Sequence, residues 1–140
     1  MMLNALLAVA FALQGGVAID SSAQFGAATN HARCIVRAIG VAPADAGARS
    51  AKVASAIKQC RDFLDSDFQA GRLLLNDRPY QPSAWRKLTP VLDAIEADIK
   101  ASVTAPKQYK IMWKLPDGAL VDAYDAGAQP KTLSLVTVAI

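Results

Sequence analysis

Arg33 to Gly71 reads RCIVRAIGVAPADAGARSAKVASAIKQCRDFLDSDFQAG: a cysteine, a short loop, a long helical run with a second cysteine, and an aromatic end. Val53, Ile57, Cys60, Leu64 and Phe68 recur at helical spacing, while Arg49, Lys52, Lys58, Arg61, Asp62 and Asp65 occupy other faces. The pattern predicts an amphipathic helix. Asp45 is its candidate cap and Gly71 its stop, and Gly47 in the first turn predicts regular helix only from Arg49 or Ser50. On the amino-terminal side, Phe25, Ala28, Ala32, Val36 and Ile39 form a second apolar stripe. It predicts a helix over 24–39, closed by Gly40 and Pro43.

Cys34 and Cys60 fall on these two helices, and the chain has no third cysteine. In an oxidising compartment they pair. Geometry puts a condition on that bond. In a simple antiparallel hairpin Cys34 lies about 8 Å back from the turn and Cys60 about 20 Å beyond it. A disulfide requires alpha carbons within about 7 Å. The helices must therefore cross steeply, or the loop from Gly40 to Ser50 must fold back on itself.

Beyond the second helix, Asn76-Asp77-Arg78-Pro79 and Pro82 predict irregular chain. Ser83 is a candidate cap for a turn carrying Trp85 and Leu88. Thr89-Pro90 then reads as a cap with proline at a first helical position, followed by Leu92, Ile95 and Ile99 on one face. One kinked helix and two short helices over 83–100 both fit. After Pro106 the period changes from helical to alternating: Tyr109, Ile111, Trp113 and Leu115 against Lys110, Met112 and Lys114. Pro116-Asp117-Gly118 predicts a tight turn that sets Leu115 opposite Ala119, Trp113 opposite Val121 and Ile111 opposite Ala123. Leu133 to Ile140 predicts a last strand, central or at an edge. The fold class is α+β: a helical N-terminal body of about three helices with a small C-terminal antiparallel meander of about three strands.

At the amino end, Leu3 to Leu13 is apolar apart from Asn4 and breaks at Gln14-Gly15-Gly16. Gly16-Val17-Ala18 and Ser21-Ser22-Ala23 each present small residues where a signal peptidase reads them. The expectation is a signal peptide over residues 1–18, or to 23, followed by a single domain over 24–140. The apolar run is short for a membrane span and lacks a basic flank, so an uncleaved anchor is the alternative. Export implies a periplasmic or secreted protein, and without an anchor no stable membrane insertion.

The chain's 140 residues suit one domain, and its 53% hydrophobic content is rich in alanine. Fifteen basic and 12 acidic residues give a net charge of +3, with the signs interspersed, which leaves no footprint for nucleic acid. His31 is the only histidine and Glu96 the only glutamate. His31, Cys34 and Cys60 have metal-ligand chemistry but no clear fourth ligand, and the bond claims the cysteines. Asp62, Asp65 and Asp67 read as a solvated helix end whose charge neighbouring lysines and arginines offset. No phosphate loop or nucleophile elbow occurs, and no metal or other cofactor is expected.

The functional expectation is therefore a small exported, periplasmic, non-catalytic binding or envelope accessory protein of the inhibitor or immunity-like kind. Its partner would be another extracytoplasmic protein. The candidate contact surface is Arg33, Arg37, Tyr80, Trp85 and Tyr109, with Trp113 anchoring the sheet to the helices. One alternative is a small hydrolase-like enzyme in which folding brings an aspartate to His31. For that reading His31 must stand in a cleft within about 3.2 Å of a carboxylate. The other is a structural protein anchored by its uncleaved N-terminal segment.

Overall fold

A computed structural model describes residues 16–19, 21–122 and 133–140. In chain order it contains β1 (Val17–Ile19), α1 (Ser22–Ile39), α2 (Ala46–Gln69), β2 (Leu74–Leu75), β3 (Arg78–Pro79), α3 (Pro82–Ser102), β4 (Tyr109–Lys114), β5 (Leu120–Asp122) and β6 (Leu133–Ala139). The α+β class and the predominance of helix in the N-terminal half are as the sequence implies.

The helices form because each carries an apolar stripe with somewhere to go. α1 lies at the centre, touching α2, α3 and the sheet. Its burial is correspondingly wide: Phe25, Ala28, Ala32, Ile35, Val36 and Ile39 all enter the main core. Ala28 and Ala32 let neighbouring backbones approach closely, which is what the alanine-rich composition provides. In α2, Gly47 does not delay the start. The helix begins at Ala46 because the Asp45 carboxylate accepts the Ala48 backbone N–H at 2.8 Å, and one good cap offsets one glycine.

The disulfide condition is met by the connection between the helices. Cys34 and Cys60 are bonded, with alpha carbons 6.0 Å apart. Cys34 sits about 8 Å from the end of α1 and Cys60 about 21 Å into α2. The difference of about 13 Å is within reach of the intervening residues 40–45. They run outward along the loop before β4: Ala42 N–H donates to the Lys107 carbonyl at 3.0 Å, and Val41 bridges Gln108.

α3 is one helix, not two. Pro90 stands inside it and cannot donate to the Arg86 carbonyl four residues back. The Thr89 hydroxyl donates to that carbonyl instead, at 3.4 Å. Pro82 takes the first helical turn, so Ser83 is not the cap. Nor are residues 76–79 irregular: β2 and β3 form a two-residue hairpin, with Asn76 and Asp77 at φ of 52° and 63°. Both residue types tolerate the left-handed region that such a turn demands.

Among the described residues the sheet has four strands in the order β1-β6-β4-β5, all neighbours antiparallel. The expected meander is replaced by a crossover, since β6 leaves β5 behind and pairs along the other side of β4. β6 is therefore central, and the edge it offers is taken by β1. The Trp113 to Val121 register is as expected, and Leu115 N–H meets the Ala119 carbonyl at 2.8 Å. Ala123, the third expected partner, lies outside the described residues. Tyr109, Ile111 and Trp113 face the helices, and Trp113 meets Phe25 with ring centroids 5.4 Å apart. A smaller core, formed by Ala27, Tyr80, Leu88 and Leu92, fills the opposite end of the helices.

Candidate functional site

Three helices converge on the only histidine. His31 from α1 places Nε2 2.8 Å from Glu96 Oε2 on α3, and Arg61 Nη1 from α2 reaches the same oxygen at 2.8 Å. Arg61 Nη1 also reaches Asp93 Oδ1 at 3.0 Å, and its Nε lies 3.6 Å from Asp65. Helical spacing explains the set: Asp93 and Glu96 are three apart, Arg61 and Asp65 four apart, so each pair shares a face. Burial pushes the Glu96 carboxyl up, but the hydrogen bonds from His31 and Arg61 outweigh it and hold it below its ordinary value. Arg61 follows Cys60 directly, so the disulfide fixes the segment that presents the guanidinium.

The network is closed at its histidine end. The His31 residue is 3% exposed, and its Nδ1 has no hydrogen-bond partner among the described residues. A His31 Nε2–H donating to Glu96 leaves that Nδ1 as a bare buried nitrogen. Glu96 is accordingly consumed by two cationic or polar partners on its inner side. The sequence offered no warning of this pair, because His31 and Glu96 are 65 residues apart. The one legible signal was that each is the only residue of its kind in the chain.

A more open feature lies between α1 and β4. Arg33, Arg37, Gln108, Tyr109, Lys110 and Asp122 line a groove of about 340 Å³. Arg33 and Arg37 are one helical turn apart and flank the disulfide residue Cys34, so the staple fixes the helix that presents them. Arg37 and Lys110 are exposed. Ile140 also lines the groove and is 69% exposed, and Val41, 67% exposed, bridges to Gln108 of the lining.

The five expected contact residues thus divide between two places. Arg33, Arg37 and Tyr109 meet in this groove, although Tyr109 is largely buried and its hydroxyl is engaged with the backbone of Ala105. Tyr80 and Trp85 lie at the small core instead. Tyr80 donates its hydroxyl to the Ala23 carbonyl at 2.7 Å, and Trp85 stacks on Phe68 with centroids 4.4 Å apart. Lys110 was missed as a site residue because strand alternation marked it only as the outward side of β4.

The aspartates at the end of α2 behave as a solvated helix end. Asp62 pairs with Lys58 at 2.6 Å and Asp67 with Arg72 at 3.2 Å. Among the described residues no group of three or more His, Cys, Asp or Glu side chains could hold a metal ion. Another depression, of about 300 Å³, holds Asp98, Ser102 and Lys114 beside β6. Burial there raises the Asp98 carboxyl to about 6.

The chain matches no protein-family model, no curated protein and no solved structure.

Proposed function

We propose that this protein acts by binding, as an exported accessory or inhibitory factor that receives an acidic, partly apolar segment of another extracytoplasmic protein. The exposed Arg37 and Lys110 on one groove, with the exposed Ile140 in its lining, carry the reading. Basic side chains select and steer an acidic segment, and the exposed Ile140 supplies apolar area to bury. Among the described residues no helix is long and apolar enough to cross a membrane, and the domain is cross-linked, both in keeping with this role.

The alternative of acid–base chemistry at His31 has half of what it needs. A carboxylate stands at 2.8 Å, though it belongs to Glu96 and not to an aspartate. Substrate access is the missing half, since the ring is buried and the carboxylate is shared with Arg61. An anchoring role rests on residues 1–15, which are outside the described part of the chain.

Charge reversal tests the proposal. Extracytoplasmic proteins from the native host, captured on the wild-type domain, should be lost from the double variant Arg37→Glu, Lys110→Glu, with affinity falling at least about tenfold and weakening with salt. Trp85→Ala should retain them. Equal capture by the groove variant and loss with Trp85→Ala would move the contact to the opposite end of the helices.

A further inference from the structure

We infer that Cys34 is a modification site, at which a small thiol bearing carboxylates exchanges onto the Cys34 sulfur and releases Cys60 into the core. The inference does not depend on what the groove receives. It begins from the unequal burial of the two bonded residues. Cys60 is 2% exposed and shares the buried face of α2 with Val53, Ala56 and Ile57. Cys34 is half-buried and packs against the same core from its margin. Exchange requires a thiolate to reach one of the two sulfurs, so access decides which is attacked. The open side of this bond is Cys34.

The charges around Cys34 decide which thiol arrives. Arg33 precedes it in α1 and Arg37 follows one helical turn later, so Cys34 lies beside the stripe that presents both to the groove. Lys110 lines the same groove from β4, and Arg37 and Lys110 are exposed. Asp122 is the one acidic residue among the described lining residues, so basic groups outnumber it. A positive field holds an attacking sulfur in its thiolate form and draws in a carrier with carboxylates. It turns a cationic thiol away.

The step is a displacement at sulfur. The incoming thiolate forms a bond to Cys34 Sγ as the Cys34–Cys60 bond breaks, and that electron pair leaves on Cys60 Sγ. Cys60 takes a proton from solvent and rests as a neutral thiol, the form that apolar surroundings favour. The incoming thiol is oxidised to a mixed disulfide and Cys60 is reduced, so the electrons balance. Because α1 and α2 still hold Cys60 close to the adduct, it can attack Cys34 Sγ in turn and expel the thiol. The modification is therefore reversible and persists only while the thiol is in excess.

The test uses the folded, oxidised wild-type chain with excess glutathione, quenched in acid, alkylated with N-ethylmaleimide and mapped by peptide mass. The expected result is glutathione on Cys34 and maleimide on Cys60, at least about tenfold over the reverse arrangement. An equal split, or glutathione on Cys60, overturns the assignment. So does an adduct that forms only once the chain is unfolded in urea, since the bond would then be sealed at both sulfurs. The charge preference is read separately, as the rate with glutathione divided by the rate with the cationic thiol cysteamine. Arg37 is exposed, so Arg37→Glu leaves the core intact. That variant should lower the ratio at least about threefold, and an unchanged ratio overturns the preference for an anionic thiol.

Discussion

The two ends of the helical body are held by different physics. At one end, α1, α2 and α3 meet around Cys34–Cys60 and the His31–Glu96–Arg61 network, and the sheet closes the main core. At the other, the same helices meet around Tyr80, Leu88 and Leu92, covered by the stacked Phe68 and Trp85 and by the β2–β3 hairpin. The first end has a covalent cross-link and directional charge contacts. Among the described residues the second relies on apolar area, one ring stack and the Tyr80 and Gln24 side-chain bonds to backbone carbonyls. A helical bundle of this size needs only one end fixed rigidly, because a helix transmits position along its length. The groove that carries the proposed function lies at the fixed end.

The largest expected effect follows from removing the covalent difference. Cys34→Ala with Cys60→Ala should cost about 3.5 kcal/mol by the loop-entropy estimate, read as a drop in the urea midpoint that matches reduction of the wild type. A loss below about 1 kcal/mol would show that the ends are more alike than the cross-link implies. Next, Glu96→Ala leaves His31 and Arg61 facing a gap and should cost about 2–3 kcal/mol by the same titration, with Arg61→Ala nearly as costly. A double-mutant cycle between them should show coupling, whereas independent effects would reduce the network to two unrelated contacts.

At the aromatic end, Tyr80→Phe removes the bond to the Ala23 carbonyl and should cost about 1 kcal/mol, with faster amide exchange confined to that end. The smallest effect concerns pH. Asp98 has its carboxyl raised to about 6 from 3.8, so the folded state binds its proton more tightly than the unfolded chain does. Stability from this group is complete below the unfolded value and is lost as pH rises through about 6. Partial exposure limits the effect, and Asp98→Asn should gain about 1 kcal/mol at pH 7 and nothing near pH 3. Glu96 has the opposite sign. Its carboxyl is lowered, so its contribution is present above its ordinary range and disappears as pH falls below it. Acid titration of Glu96→Gln should lose that second slope and keep the first.

The elements legible in the sequence were those whose signal is local. The stripe from Val53 to Phe68 and the alternation from Tyr109 to Leu115 each report burial by one neighbouring layer, and a period needs nothing more. Thr89-Pro90 left one helix or two open because the same pair can open a helix or, through a hydroxyl standing in for the missing N–H, pass through one. The strand order was not legible, since nothing in Leu133 to Ile140 says which side of β4 it takes. β1 was hidden more deeply: three residues carry no period, and they follow the apolar run from Leu3 to Leu13. Of the candidate site, Arg33 and Arg37 could be paired by helical spacing. Lys110 and Glu96 needed tertiary contacts that no spacing encodes.

The adjacency of β1 and β6 has a consequence for how the chain acquires its structure. Val17 is among the first described residues to leave the ribosome, and its partner Leu135 lies near the end of the sequence. The β1–β6 ladder therefore cannot form until the chain has been delivered as far as Leu133–Leu135, and the pairing pays a long loop closure before it gains a single ladder bond. Helical segments can form and fade locally during that wait. Under the export role proposed above, such lateness would keep the chain slack in transit and let it set only on arrival.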